Sequence, residues 1–178
     1  MSRDLLLEIG LEEMPSAFMA KALEDFKELA ARKFNEKRIK YNTVNTLGTP
    51  RRLVLHATGL EENQQDALIE NRGPKKAGAF DKDGNPSKAA LGFARGQGLE
   101  VKDLEIREVD GIEYVFAIKK EVGVKTEDIL PDLLLDIIHS LSFPKSMRWS
   151  YYQTRFARPV RWLLAMFGDH KVPVQVEN

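Results

Sequence analysis

Residues 104–119, LEIREVDGIEYVFAIK, decide the fold class of this 178-residue chain. Two β-prone runs, 104–109 and 113–119, flank the dipeptide Asp110-Gly111. Aspartate and glycine tolerate the positive φ angles of a type I′ turn, which joins two neighbouring antiparallel strands. The sequence therefore predicts a β-hairpin here, and this is the clearest hairpin signal in the chain.

Other strand and helix patterns lie on both sides of this hairpin. Further strands are predicted at 4–9, 41–47, 52–60, 160–167 and 171–176. Amphipathic spacing predicts helices at 15–37 and 126–142, and a short helix at 87–97. Roughly seven strands and three helices in mixed order indicate an α+β fold, with mixed or antiparallel hairpins and helices packed on them.

Residues that favour helix ends refine these boundaries. Pro15 suits the first helical position, since its missing N–H has no partner there. Asn85-Pro86 is expected to cap and open the short helix, which should stop near Gly96 or Gly98. Thr126 is expected to cap the last helix, whose beginning Pro131 is expected to delay or bend.

The middle of the chain has weaker periodicity. Residues 61–85 contain several Gly, Pro and Asp-Gly-Asn breaks, which predict a long loop with one short strand near 67–71. This loop is a possible boundary inside one region that spans residues 1–178. Because the chain stops directly after a strand pattern, we expect it to be cut from a longer protein.

Composition excludes several classes of protein. The chain has 27 basic and 27 acidic residues, and this balance argues against a non-specific DNA-coating role. It has no cysteine, which excludes disulfides, thiolate chemistry and cysteine-ligated zinc. The apolar run near the start is too short for a signal peptide, and the longest run, 162–167, cannot span a bilayer. We expect a cytoplasmic protein with no membrane partner.

Positive charge is concentrated in residues 143–162, FPKSMRWSYYQTRFARPVRW, which hold five cations and no acid. The rest of the chain therefore carries a net charge of −5. Arginine suits bidentate phosphate contacts, so this basic block is a candidate surface for RNA, a small phosphorylated ligand or an acidic protein face. Together with the two arginines after the Thr49-Pro50 turn, the candidate binding residues are Arg51, Arg52, Lys145, Arg148, Arg155, Arg158 and Arg161.

Simpler roles exist for the same residues. Each arginine can instead form salt bridges with the acidic surplus elsewhere or stack on a neighbouring ring. The aromatic residues of the block are expected to be mostly core, and Trp162 in particular leads directly into the apolar run 163–167. The arginines are therefore the functional candidates, with the rings as their scaffold.

Sites for catalysis or metal binding are not apparent in the sequence. Neither a Walker-type loop nor a G-x-G-x-x-G segment occurs. The three histidines, His56, His139 and His170, are far apart and lack metal-ligand neighbours at a suitable spacing. Glu12 and Glu13 are adjacent, so in an extended segment they point in opposite directions. We expect no catalytic residue and no metal ligand in this chain.

Five ordered motifs carry a family resemblance: LLLEIGLEEMP (5–15), LGTPRRLVL (47–55), GNPSKAALGFARGQG (84–98), FPKSMRW (143–149) and RFARPVRWLLAMFG (155–168). They closely resemble the N-terminal region of the β subunit of bacterial heterotetrameric glycyl-tRNA synthetase. A mild departure is Met14, where the family usually has leucine. The family's β subunit is several times longer, and its HD-type and anticodon-binding domains do not occur in these residues.

The resemblance implies an α2β2 enzyme that activates glycine with ATP and transfers it to tRNA. ATP and Mg²⁺ would bind the α subunit, which carries the class II catalytic core, and this chain would hold no cofactor. Its implied partners are the α subunit, tRNA(Gly) and the remainder of the β chain.

Three hypotheses follow for the role of this region. In the first, it is a non-catalytic tRNA-binding or subunit-docking segment. In the second, it is purely structural, with the arginines holding the α subunit or the rest of β and no RNA contact. In the third, it is an independent enzyme with an unrecognised pocket.

Overall fold

The computed structural model describes residues 1–81, 83–149, 151 and 153–176. Two compact units are present, one formed by Met1–Gln65 and Gly123–Asn178, the other by Asp66–Val122. In chain order the described elements are β1 (Ser2–Leu11), α1 (Ser16–Glu36), β2 (Thr43–Thr49), β3 (Arg52–Glu61), β4 (Ala67–Lys75), α2 (Lys76–Ala79), α3 (Lys88–Gln97), a 3₁₀ turn (Val101–Asp103), β5 (Leu104–Val109), β6 (Ile112–Glu121), α4 (Thr126–Ser140), β7 (Val160–Phe167) and β8 (His170–Lys171). Two antiparallel sheets with helices confirm the predicted α+β class.

The first unit is built on a five-stranded antiparallel sheet of order β2-β3-β1-β7-β8. Leu5, Leu7 and Ile9 of β1 are fully buried and pack in one core with the buried faces of α1 and α4. These residues alternate along β1, as the two-residue period of a strand requires when helices cover one sheet face. Phe26 and Phe34 of α1 are also fully buried in this core.

The other face of this sheet, which we call the open face, carries exposed apolar side chains. Leu47 of β2 pairs with Val54, and Val54 and Leu164 both pair with Glu8, so these residues share one face. Leu47 and Leu164 are 65% and 40% exposed. The open face therefore differs from the face that α1 and α4 cover.

The start of α4 corrects one predicted cap. Lys125 occupies the N-cap position, and Thr126 is instead the first helical residue and fully buried. The Thr126 hydroxyl and N–H donate to the carbonyl oxygens of Glu61 and Glu62, which ties α4 to the end of β3. Pro131 lies inside the helix and does not delay its beginning.

The second unit contains the predicted hairpin. Strands β5 and β6 pair from Leu104–Ala117 to Val109–Ile112, and β4 pairs with the other edge of β6. Asp110 and Gly111 have φ angles of 54° and 76°, as the type I′ turn requires. The small buried core of the second unit is formed by Ala79 of α2, Ala90 of α3 and Val115 of β6.

Several predicted boundaries in this unit were wrong. The segment predicted as mostly loop contains the nine-residue strand β4 and the short helix α2. Ser87, not Asn85, caps α3, because its hydroxyl oxygen accepts hydrogen bonds from the N–H groups of Ala89 and Ala90. Gly98 ends α3 in the left-handed conformation with φ 68°, as predicted.

Two predicted element boundaries differ from those in the structure. Pro15 lies at the N-cap of α1, one residue before its predicted position. Strand β8 has only two residues, so most of the strand predicted at 171–176 is absent within the described range. Among the described helices, none combines the length and apolar character needed to cross a bilayer.

Candidate functional site

The predicted binding residues fall into two groups, and the first lies where β1, β3 and β7 meet. We call it the arginine cluster: Arg51, Arg52, Arg158 and Arg161. Backbone hydrogen bonds hold its segments together, with Leu11 N–H donating to the Arg51 carbonyl at 2.9 Å and Glu12 N–H donating to the Pro159 carbonyl at 3.1 Å. The β-sheet thus joins the two basic motifs, which are about a hundred residues apart in sequence.

Each member of the arginine cluster has an acidic or carbonyl partner. Arg51 Nη2 lies 2.8 Å from Glu13 Oε1, and Arg161 Nη1 lies 3.5 Å from Glu12 Oε1. Arg52 Nε lies 3.7 Å from Glu8 Oε1. Arg158 Nε donates to the Glu13 carbonyl oxygen at 3.0 Å.

The cluster is therefore largely neutralised by nearby carboxylates. Three of the four guanidinium groups pair with the carboxylates of Glu8, Glu12 and Glu13, while Arg158 instead donates to a backbone carbonyl oxygen. The side chains of Arg51 and Glu13 are 69% and 70% exposed, so their ion pair is screened by water and contributes about 0–1 kcal/mol. Glu12 and Glu13 each form an ion pair with an arginine of the cluster.

Trp162 lies beside this cluster, and its predicted place in the core was wrong. The residue is 41% exposed, whereas Ala165 and Phe167 of the same strand are 3% and 2% exposed. Trp162 pairs with Gly10, and Gly10 lies two residues beyond Glu8, which places Trp162 on the open face. The sequence showed the apolar run of β7 but not the strand register that alternates its side chains between two faces.

The indole of Trp162 has three fixed contacts. Its Nε1–H donates to Glu8 Oε1 at 2.8 Å, and the Arg52 guanidinium carbon lies 5.7 Å from the ring centroid. A Cβ placed on Gly10 would lie 2.0 Å from two ring atoms, so only glycine leaves room for the indole. Beside the ring is a cleft of about 540 Å³, lined by Leu11, Glu12, Glu13, Arg51, Arg161 and Trp162.

The second group comprises Lys145, Arg148 and Arg155. Phe156 is fully buried and its ring lies 4.6 Å from that of Phe143, which anchors the segment to the core. Met147 and Phe156 exchange two backbone hydrogen bonds, and Arg155 donates to the hydroxyl and the carbonyl oxygen of Ser146 at 3.1 and 3.2 Å. All three cations are exposed, and within the described ranges no ion pair joins them to a carboxylate.

A second cleft of about 570 Å³ lies beside Arg155. Its lining contains no carboxylate and is rich in hydroxyl groups: His139, Ser140, Leu141, Ser142, Phe143, Ser146, Gln153, Thr154 and Arg155. The Thr154 hydroxyl lies 3.5 Å from His139 Nε2. These hydroxyls give no signal in the sequence, because serine and threonine at such spacing form no motif until the chain folds.

The described part of the chain contains no group of three His, Cys, Asp or Glu residues able to hold a metal ion. The predicted absence of a catalytic residue remains a prediction.

Comparison with known proteins identifies the family. The family described as "Glycyl-tRNA synthetase beta subunit" matches residues 5–178. The chain belongs to this family. The resemblance drawn from the five motifs is thereby confirmed.

Relatives in the family are similar over the whole chain. The glycine–tRNA ligase beta subunit of Syntrophomonas wolfei is 64% identical over 178 residues, which are 100% of this chain and 26% of that protein. The corresponding subunit of Moorella thermoacetica is 51% identical over 176 residues, 99% of this chain and 25% of the relative. The chain thus spans about a quarter of the length of these curated relatives.

Proposed function

We propose that this chain supports the attachment of glycine to tRNA as a tRNA-binding part of the β subunit that is not itself catalytic. The observation that carries the proposal is the second group of cations, all exposed, of which Arg155 lines a cleft that has no carboxylate in its lining. ATP and Mg²⁺ would bind the α subunit. The partners would be that subunit, tRNA(Gly) and the remainder of the β chain, in the cytoplasm.

The chemistry of this cleft favours phosphate. Phosphate oxygens accept hydrogen bonds from guanidinium, ammonium and hydroxyl groups, and an RNA backbone presents them at regular intervals. Arg155 uses two of its five N–H donors on Ser146, which fixes the guanidinium plane and leaves three donors for a ligand. Lys145 and Arg148 are exposed, and no ion pair joins either of them to a carboxylate among the described residues.

The arginine cluster suits a bare phosphate backbone less well. Its ion pairs are weak enough to open when a stronger anion arrives. Each opened pair, however, leaves a carboxylate of Glu12 or Glu13 close to the incoming phosphate, and like charges repel. We therefore expect Lys145 and Arg148 to contribute more to tRNA affinity than Arg51 and Arg161.

The test is the salt dependence of tRNA binding. Fluorescence anisotropy of labelled tRNA(Gly) would be measured from low to physiological salt for the chain and for Lys145→Gln and Arg148→Gln. If each cation contacts one phosphate, each change should flatten the slope of log affinity against log salt by about one unit. Lys27→Gln is the matched control, because Lys27 is an exposed lysine on α1, outside both clefts.

Two results would contradict the proposal. One is a salt slope that changes no more for Lys145→Gln and Arg148→Gln than for Lys27→Gln. The other is Arg148→Gln weakening association with the α subunit while tRNA affinity stays unchanged, which would assign this group to subunit docking.

A further inference from the structure

Trp162 presents a rigid aromatic surface outside the core. Glycine below the ring, the hydrogen bond to Glu8 and the nearby Arg52 guanidinium fix its position before any ligand arrives. The indole rests on Gly10, and the Arg52 guanidinium lies over it at 5.7 Å, so a base would stack on the outward side of the ring in place of that guanidinium. Because the ring is already held in place, binding costs the protein little conformational freedom. The core does not require the ring there, since it lies on the open face.

The cleft beside Trp162 offers hydrogen-bonding groups of both kinds. Arg51 and Arg161 are donors, and the carboxylates of Glu12 and Glu13 are acceptors. A base with its ribose matches this mixture, because base amino groups and ribose hydroxyls donate to carboxylates while ring nitrogens and carbonyl oxygens of the base accept from arginine. The cleft is open to solvent, and its volume of about 540 Å³ is comparable with that of small-molecule sites.

We propose that Trp162 and this cleft bind one unpaired nucleotide of the tRNA, with its base stacked on the indole. This inference rests on the proposed function and assigns a different role to each cleft. The acid-free cleft at Arg155 takes backbone phosphates, while the mixed cleft at Trp162 takes a base with its ribose. The nucleotide must be unpaired, because a base inside a duplex has both faces covered by its neighbours.

The test uses the tryptophan fluorescence of the chain. The sequence contains two tryptophans, so Trp149→Phe leaves Trp162 as the sole reporter. Addition of tRNA(Gly), or of a short single-stranded RNA, should quench this emission through stacking. A blunt-ended RNA duplex of the same length should quench it far less, because only its two terminal base pairs leave a base face uncovered. The Trp162→Phe chain, which retains Trp149, is the control for quenching at the other site.

Affinity measurements supply a second readout. Trp162→Ala should weaken tRNA binding about tenfold or more, and Trp162→Phe should retain most of the affinity because a ring still stacks. The salt slope should not change in either variant, since no charge is removed. Far-UV circular dichroism would verify that both variants keep the fold.

The failures of the two proposals are distinguishable. Suppose that tRNA binds with the salt dependence described above, but that it does not quench Trp162 and binds the Trp162→Ala chain as tightly as the unaltered chain. The base site is then wrong and the phosphate site stands. If Trp162→Ala weakens association with the α subunit and leaves RNA binding intact, the open face is a protein contact and the inference is overturned. If the unaltered chain binds no tRNA, both proposals are wrong.

Discussion

Gly10 and Trp162 offer a stringent test of the open face, because the two residues should be energetically coupled. In Gly10→Ala the new methyl group would meet the indole at 2.0 Å, a separation that forces the ring off the strand. The displaced indole loses its hydrogen bond to the Glu8 carboxylate, which costs about 1.5–3 kcal/mol. It also loses the contact with Arg52, which contributes about 0.5–1 kcal/mol at an exposed site.

Alanine also has a favourable effect that partly offsets this loss. Replacing glycine restricts the unfolded chain and stabilises the fold by about 0.4–1 kcal/mol where the backbone permits it. Gly10 is not among the residues with positive φ, so its backbone accepts alanine. The net effect of Gly10→Ala should therefore be a destabilisation of about 2 kcal/mol.

The coupling appears when the indole is removed first. In a Trp162→Ala background the methyl group meets no ring, so Gly10→Ala should be neutral or stabilise by up to about 1 kcal/mol. Urea unfolding of the four chains of this cycle, followed by far-UV circular dichroism, gives both values. Equal effects of Gly10→Ala in the two backgrounds would refute the placement of Trp162 against Gly10.

Two further predictions concern the elements around the candidate site. Ser87→Ala removes the side-chain cap of α3 and should destabilise that helix by about 1 kcal/mol. The measurement is hydrogen exchange of the Ala89 and Ala90 amides, which should become faster. Unchanged exchange would contradict this cap. The Lys33 ammonium holds the pKa of the Asp136 carboxyl below its ordinary value, so the folded state binds this proton less readily than the unfolded state. That contribution to stability is present above the ordinary pKa and is lost as pH falls through the lowered pKa. In urea unfolding, Asp136→Asn should therefore lose less stability than the unaltered chain between pH 7 and pH 3. An identical loss in the two chains would contradict the ion pair.

Local sequence chemistry predicted the elements that carry their own signals. The turn at Asp110-Gly111 needs two positive φ angles, and few residue pairs adopt them without strain. These two residues were therefore enough to predict the hairpin. The long amphipathic pattern of α1 was readable for a similar reason, since its buried residues recur with the helical period.

Elements that depend on a distant partner were harder to predict. Strand β4 runs through Gly73-Pro74, which looks like a loop locally, and it forms because β6 supplies a pairing edge. Thr126 resembles a cap in sequence, yet its hydroxyl is used to join α4 to β3. In each case the deciding hydrogen bond comes from residues far away along the chain.

The sequence by itself determined the α+β class, the family and the identity of the seven candidate cations. The tertiary structure alone decided how those cations divide. The pairing of β1 with β3 and β7 brought Arg51 and Arg161 to Glu13 and Glu12, which neutralises most of one group. Lys145 and Arg148, which lie between α4 and β7, have no carboxylate partner among the described residues. It also placed Trp162 on the open face, because alternate residues of a strand point to opposite sides of the sheet and only pairing with β1 decides which side is covered.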